Sequence, residues 1–307
     1  MHAWLDAFVP CFGLLALGAL LKRRLLPDDR VWAGMEKLVF WVLLPALIVS
    51  SLAEVDLSRL PLGTMAGSIW GALAIGAVTS IALARLLGQG PAAMTSVLQG
   101  GIRFNNLIGF AIGGAIFGTE GLALSAVATG LIVPFVQVVV VLAFAIGLAP
   151  AGGARIRPVA ILAQVAKNPL LIACVLGFAV AAAGGLPPGL KPMLVTLGRA
   201  SVALGLLCVG AALSLASFTD RLPVQCATGV LKLLVMPVVT LGFTLAFGLT
   251  GLPALFAVLF MALPTAATSY VMARAMGGDA PLIAAITTTE HIAALLTLPL
   301  WLWLLGQ

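Results

Sequence analysis

Charge is what this sequence has least of. Asp, Glu, Lys and Arg make up only 8% of its 307 residues, where a soluble domain carries roughly 25%. Hydrophobic residues reach 62% and the mean hydropathy is +1.19, so the chain cannot coat a water-facing surface. A soluble enzyme or a sizeable soluble domain is thereby excluded. Catalytic signatures are missing too: there is no GxSxG, no HExxH and no pair of membrane aspartates. No soluble effector segment suggests a receptor, and no repeated rings of charge suggest a channel. Cysteine is scarce. Cys11, Cys174, Cys208 and Cys226 fall in apolar runs without a CxxC pair, as small packing residues do. The net charge of +6 forms no basic face or stripe, which argues against nucleic acid as a partner. The N-terminus lacks a basic n-region and a small-residue cleavage site, so the first apolar run is expected to stay as a helix.

What is present is a succession of apolar runs about one bilayer long. They predict an all-α integral membrane protein of ten transmembrane helices, at roughly 7–25, 36–53, 62–87, 91–118, 121–149, 158–183, 190–215, 222–249, 253–276 and 280–305. The separators are short and built from turn formers, such as Pro27-Asp28-Asp29-Arg30, Gly88-Gln89-Gly90-Pro91, Ala149-Pro150-Ala151-Gly152-Gly153 and Pro187-Pro188-Gly189. No metal or organic cofactor is called for. Lys and Arg fall unevenly between the loops. Lys22, Arg23, Arg24, Arg30, Lys37, Arg85, Arg155, Arg157, Lys167, Arg221 and Arg274 belong to odd-numbered loops, and only Arg59, Lys191 and Arg199 to even ones. The odd loops are therefore expected in the cytoplasm, with both termini outside and Trp4, Trp301 and Trp303 in the outer interfacial belt.

Ten helices divide into two halves, 1–153 and 154–307. Because five is odd, such halves would sit in the membrane as inverted repeats. A shift of 160 positions lays Phe104-Asn105 on Pro264-Thr265. Helix 4 reads Gly100-Gly101-Ile102-Arg103-Phe104-Asn105-Asn106, and helix 9 reads Leu263-Pro264-Thr265-Ala266-Ala267-Thr268. Both spans are interrupted near their middles by helix breakers and hydrogen-bonding side chains. Matched, broken helices in inverted halves mark a transporter's binding site, since unwound backbone cannot face lipid. A half-helix N-terminus also offers free N–H groups to a carboxylate. Close packing of small residues would explain the glycines alone, but not Arg103, Asn105 and Asn106 beside them.

These segments resemble the auxin efflux carrier family, which includes bacterial permeases and the plant PIN carriers. The resemblance runs along the whole chain. It rests on Arg103-Phe104-Asn105-Asn106 with the glycines after it, on Lys167-Asn168-Pro169, on Leu263-Pro264-Thr265-Ala266 with Ala273 beyond, and on Leu44-Pro45-Ala46. It implies a scaffold and a transport subdomain, crossing fourth and ninth helices, no cofactor and a homodimer. It further implies a bacterial inner-membrane carrier for small organic anions of the malonate type, with Asn105 at the substrate carboxylate and Pro264 opposite. Sodium coupling, as in the related bile-acid symporters, remains an alternative to proton coupling.

Glu290-His291 in helix 10 departs from the family's motif. Either residue could carry a coupled proton, Glu290 could neutralise Arg103 or Lys232, or the pair could touch substrate. Arg103 could grip a carboxylate with two parallel bonds or brace the broken helix. The candidate site therefore comprises Arg103, Asn105, Asn106, Pro264, Thr265 and Thr268, with Glu290 and His291 for the proton. Lys232 reads as a residue snorkelling to the interface, and Glu120 and Asp279 as solvated span ends.

Overall fold

The computed structural model describes residues 2–53, 55–56, 60–148, 163, 165–213 and 221–306, without the side chains of 2–5. Arg59, Arg155, Arg157, the Trp4 side chain and the 153/154 division lie outside the described residues. The helices are α1 (His2–Arg24), α2 (Asp29–Leu52), α3 (Leu62–Leu86), α4 (Pro91–Ile102), α5 (Asn106–Gly147) and α6 (Pro169–Ala182), followed by α7 (Leu190–Ala212), α8 (Leu222–Ala246), α9 (Gly251–Ala262), α10 (Thr268–Met276) and α11 (Ala280–Leu304). There is no strand among the described residues. Among the described residues, six helical stretches are long and apolar enough to cross a membrane: α2, α3, the stretch Pro91–Gly147 holding α4 and α5, α7, α8 and α11. The shorter apolar helices are α6 and α9.

Helix ends follow local chemistry. Asp28 caps α2 by accepting from the Arg30 N–H at 2.8 Å, and Asn168 caps α6 by accepting from the Leu170 N–H at 2.9 Å. The long α5 turns sharply at Gly118, whose φ of 59° and ψ of −137° are open to glycine. That turn falls where the apolar pattern separates the fourth span from the fifth.

The chain forms two compact units. The first holds residues 1–60, 106–133 and 166–212, the second 61–105, 134–165 and 213–307. In the first, α7 packs on α1 and α2, and α6 on α2. In the second, α3 packs on α4 and α8, while α11 packs on α4, α8 and α10. The second unit is inside-out by the standard of a soluble protein. Val78, Leu86, Leu245 and Leu296 are exposed, whereas Ser80, Gln99, Thr228, Lys232 and Glu290 are fully buried. Lipid is the natural solvent for such an exterior, and polar groups must then find partners within.

Three expectations are corrected here. Lys232 does not snorkel: it is 0% exposed. It lies in a π-helical turn, Leu231–Val235, just before Met236-Pro237, and this change of winding redirects the side chains that follow. Trp301 is not in an interfacial belt. It is buried, and its Nε1–H donates to the Leu233 carbonyl at 2.8 Å. Pro237 has no N–H to return to that carbonyl four residues back, so the indole supplies a donor that the helix cannot. Asp279 is not a free, solvated end. It pairs with Arg221 at 2.7 Å and caps α11 by accepting from the Leu282 N–H at 3.0 Å.

Candidate substrate and coupling site

Both interruptions expected from the sequence are present. α4 stops at Ile102 and α5 begins at Asn106, so residues 103–105 are non-helical. α9 stops at Ala262 and α10 begins at Thr268. The cause of the second break is local. A residue before proline is driven from the helical region, and Leu263 is extended, with φ −67° and ψ 142°. At the first break Arg103 is extended, with ψ 165°. The glycines before it admit neighbours rather than break the helix themselves. A Cβ on Gly100 would approach Thr228 Cγ2 to 2.7 Å and Ile286 Cγ2 to 2.8 Å.

The two breaks meet. The Asn105 N–H donates to the Pro264 carbonyl at 2.8 Å. The next amide along, the Thr265 N–H, donates to Glu290 Oε2 at 2.7 Å. That N–H and the Pro264 carbonyl belong to one peptide group. A single planar unit thus links the Glu290 carboxylate to the backbone of Asn105, and hydrogen bonds in such a chain polarise one another. The Thr265 hydroxyl donates to the Gln99 carbonyl at 3.0 Å, in the last turn of α4.

Side chains extend the network. The Thr287 carbonyl, an acceptor only, lies 2.7 Å from His291 Nδ1, so that nitrogen carries the proton. Nε2 of the neutral ring then accepts from the Asn105 amide at 3.1 Å. Arg103 is half-buried and donates to the Thr268 hydroxyl at 2.8 Å and to Met272 Sδ at 3.0 Å. A guanidinium has five N–H donors, so part of its fork remains for another acceptor. Asn105, Pro264, Thr265, Glu290 and His291 are all buried, and Thr268 is exposed. The second unit therefore gathers every candidate except Asn106. Asn106 opens α5, is half-buried and belongs to the first unit.

Residues 154–302 match the family model described as Membrane transport protein. Over these residues, just under half of its length, the chain is similar to this family. It is the family of the auxin efflux carriers that the sequence resembles, and its members are transporters rather than enzymes. The apolar helices and this likeness together make the chain a multi-pass membrane protein. No curated protein matches it.

Sequence reasoning missed two participants, Gln99 and Gln225, and left Lys232 between a partner for Glu290 and a residue at the interface. Gln99 lies one turn before Arg103 in α4, fully buried. Gln225 accepts from the Thr289 hydroxyl at 2.6 Å, joining α8 to α11. The signal for all three was a polar residue in an apolar span, which by itself does not say which way a side chain faces.

Proposed function

We propose that this protein is a secondary carrier for a small organic anion, a carboxylate, working by alternating access with proton coupling. The observation that carries this reading is the Asn105 N–H to Pro264 carbonyl bond, which ties two interrupted apolar helices together amid buried polar side chains. Unwound backbone in an apolar setting is tolerated where it lines a cavity or binds a ligand. Arg103 offers spare donors for an anion, and the positive end of the α10 dipole lies beside it at Thr268, although the Ser269 and Tyr270 N–H groups already donate to the Ala266 and Ala267 carbonyls. In this reading Asn105, Asn106, Pro264, Thr265 and Thr268 surround the substrate, and Glu290 or His291 carries the proton.

The same reading takes the fold to be ten spans in two inverted five-helix repeats, forming a homodimer in a bacterial inner membrane with both termini outside. The test is counterflow in proteoliposomes, begun with malonate and extended to other short mono- and dicarboxylates. Labelled substrate should enter faster against unlabelled substrate inside, and an inward proton gradient should accelerate net uptake. Flux without trans-stimulation would mean a channel, and no carboxylate exchanging at all would overturn the assignment.

A further inference from the structure

Three side chains in the second unit are fully buried yet have polar atoms with no hydrogen-bond partner: both amide atoms of Gln99, Oε1 of Glu290 and Nζ of Lys232. Glu290 lies between the helices that carry the other two. A Cβ on Gly100, beside Gln99, would lie 3.4 Å from Glu290 Oε1, and one on Gly229 would lie 3.9 Å from Glu290 Cγ. Gly229 precedes Lys232 by about one turn of α8, so the Glu290 side chain runs between α4 and the stretch of α8 that carries Lys232. The Leu231–Val235 turn that carries Lys232 packs on both α11 and α4, and neither the ammonium nor Glu290 Oε1 makes a hydrogen bond.

Other charged and titratable groups nearby are occupied. Arg103 turns to Thr268 and Met272, and His291 to Thr287 and Asn105. From α8 the charge that acts on Glu290 is Lys232, and from α4, α9 and α10 the partners are uncharged or turned away.

We propose that Lys232 is a built-in cation for Glu290, standing where a coupling sodium ion would need to bind, so that the carrier works without sodium. This rests on the transport reading and deepens it by naming the coupling ion it excludes. A hard monovalent cation needs several oxygen ligands, and the unpartnered oxygens here are Glu290 Oε1 and Gln99 Oε1. An ammonium beside them satisfies the buried carboxylate electrostatically and repels a second cation in a medium where charges act strongly. The consequence reaches the substrate site, because the other oxygen of Glu290 is bonded to the peptide whose carbonyl holds Asn105. Lys232 thereby acts as a positioning residue for Asn105 through Glu290.

The test uses the purified full-length chain and no substrate. Thermal unfolding is followed in sodium chloride and in N-methyl-D-glucamine chloride at equal ionic strength. The wild type and Lys232→Arg should unfold at the same temperature in both salts. Lys232→Gln frees the carboxylate, and its Tm should rise with sodium in a saturable way. Lys232→Gln with Glu290→Gln should lose that response. A wild-type protein stabilised specifically by sodium, or a folded Lys232→Gln protein indifferent to it, would overturn the proposal. If Lys232→Gln cannot be purified, Glu290→Gln and the double variant are compared. The double variant should recover at least half of the Tm lost by Glu290→Gln, and a double variant no more stable than the single one sinks the idea. Counterflow that fails while these responses hold would remove the transport reading and leave the built-in cation standing.

Discussion

Asn105 serves two masters, its backbone N–H holding Pro264 and its amide holding His291. Substitution by alanine removes only the second. Asn105→Ala should therefore fold, yet lose charge-assisted bonds to a bound carboxylate worth about 1.5–3 kcal/mol, or roughly tenfold or more in affinity. The concentration dependence of malonate counterflow measures this, and an unchanged half-saturation point would remove Asn105 from the substrate site. Asp279 makes a different residue-scale prediction. Burial disfavours its charged form, but the Arg221 guanidinium and the Leu282 N–H outweigh that and hold its pKa below the usual carboxylate value. A group with a depressed folded pKa stabilises the protein above its unfolded pKa, and that contribution disappears as pH falls through the folded value. Tm measured downward from neutral pH should therefore fall more steeply for wild type than for Asp279→Asn, with the difference confined to acid pH. Parallel curves would show that the pair contributes no pH-dependent stability.

At the scale of elements, the proline positions explain more than the glycines do. Pro264 ends α9 by driving Leu263 out of the helical region, and its own carbonyl is taken up by Asn105. Pro237 instead sits within α8, and the structure compensates from another helix through Trp301. Trp301→Phe keeps the ring and removes the donor, so it should lower stability by about 1–3 kcal/mol. Adding Pro237→Ala restores an N–H to α8 and should recover part of that loss. Thermal denaturation of the two variants in one detergent checks both statements; an additive double variant would mean that the indole bond does not answer the proline. The breaks in α4 and the α9–α10 segment were legible in sequence because they arise from backbone chemistry within a few residues. The first is short, since Asn106 already opens the next helix.

The whole molecule interleaves its halves. Each compact unit draws segments from before and after the middle of the chain, so the substrate and coupling candidates of the second unit come from positions nearly two hundred residues apart. Arg221 and Asp279, from the seventh and ninth predicted loops, meet at one end of that unit, and the Ser96 hydroxyl joins them by donating to the Asp279 carbonyl at 2.8 Å. The charge count assigns those odd loops to the cytoplasm. In a cysteine-free background, Arg85→Cys should accordingly react with an impermeant thiol reagent only from the cytoplasmic side, and Lys191→Cys only from outside. The opposite pattern would invert the topology.

Composition alone determined that this chain lives in a membrane, because 8% charge cannot solvate a surface whatever the fold. Local backbone chemistry determined where two helices stop, because Pro264 and the residue before it act within one turn. Partnership was beyond both. Lys232 could snorkel or be buried, Trp301 could face lipid or cap a carbonyl, and Asp279 could be solvated or paired, with no change in sequence. Only tertiary structure decided between them, since each outcome depends on which helix lies opposite and on the winding that turns a side chain toward it. Within a low-dielectric interior, that choice converts a costly isolated charge into half of a pair.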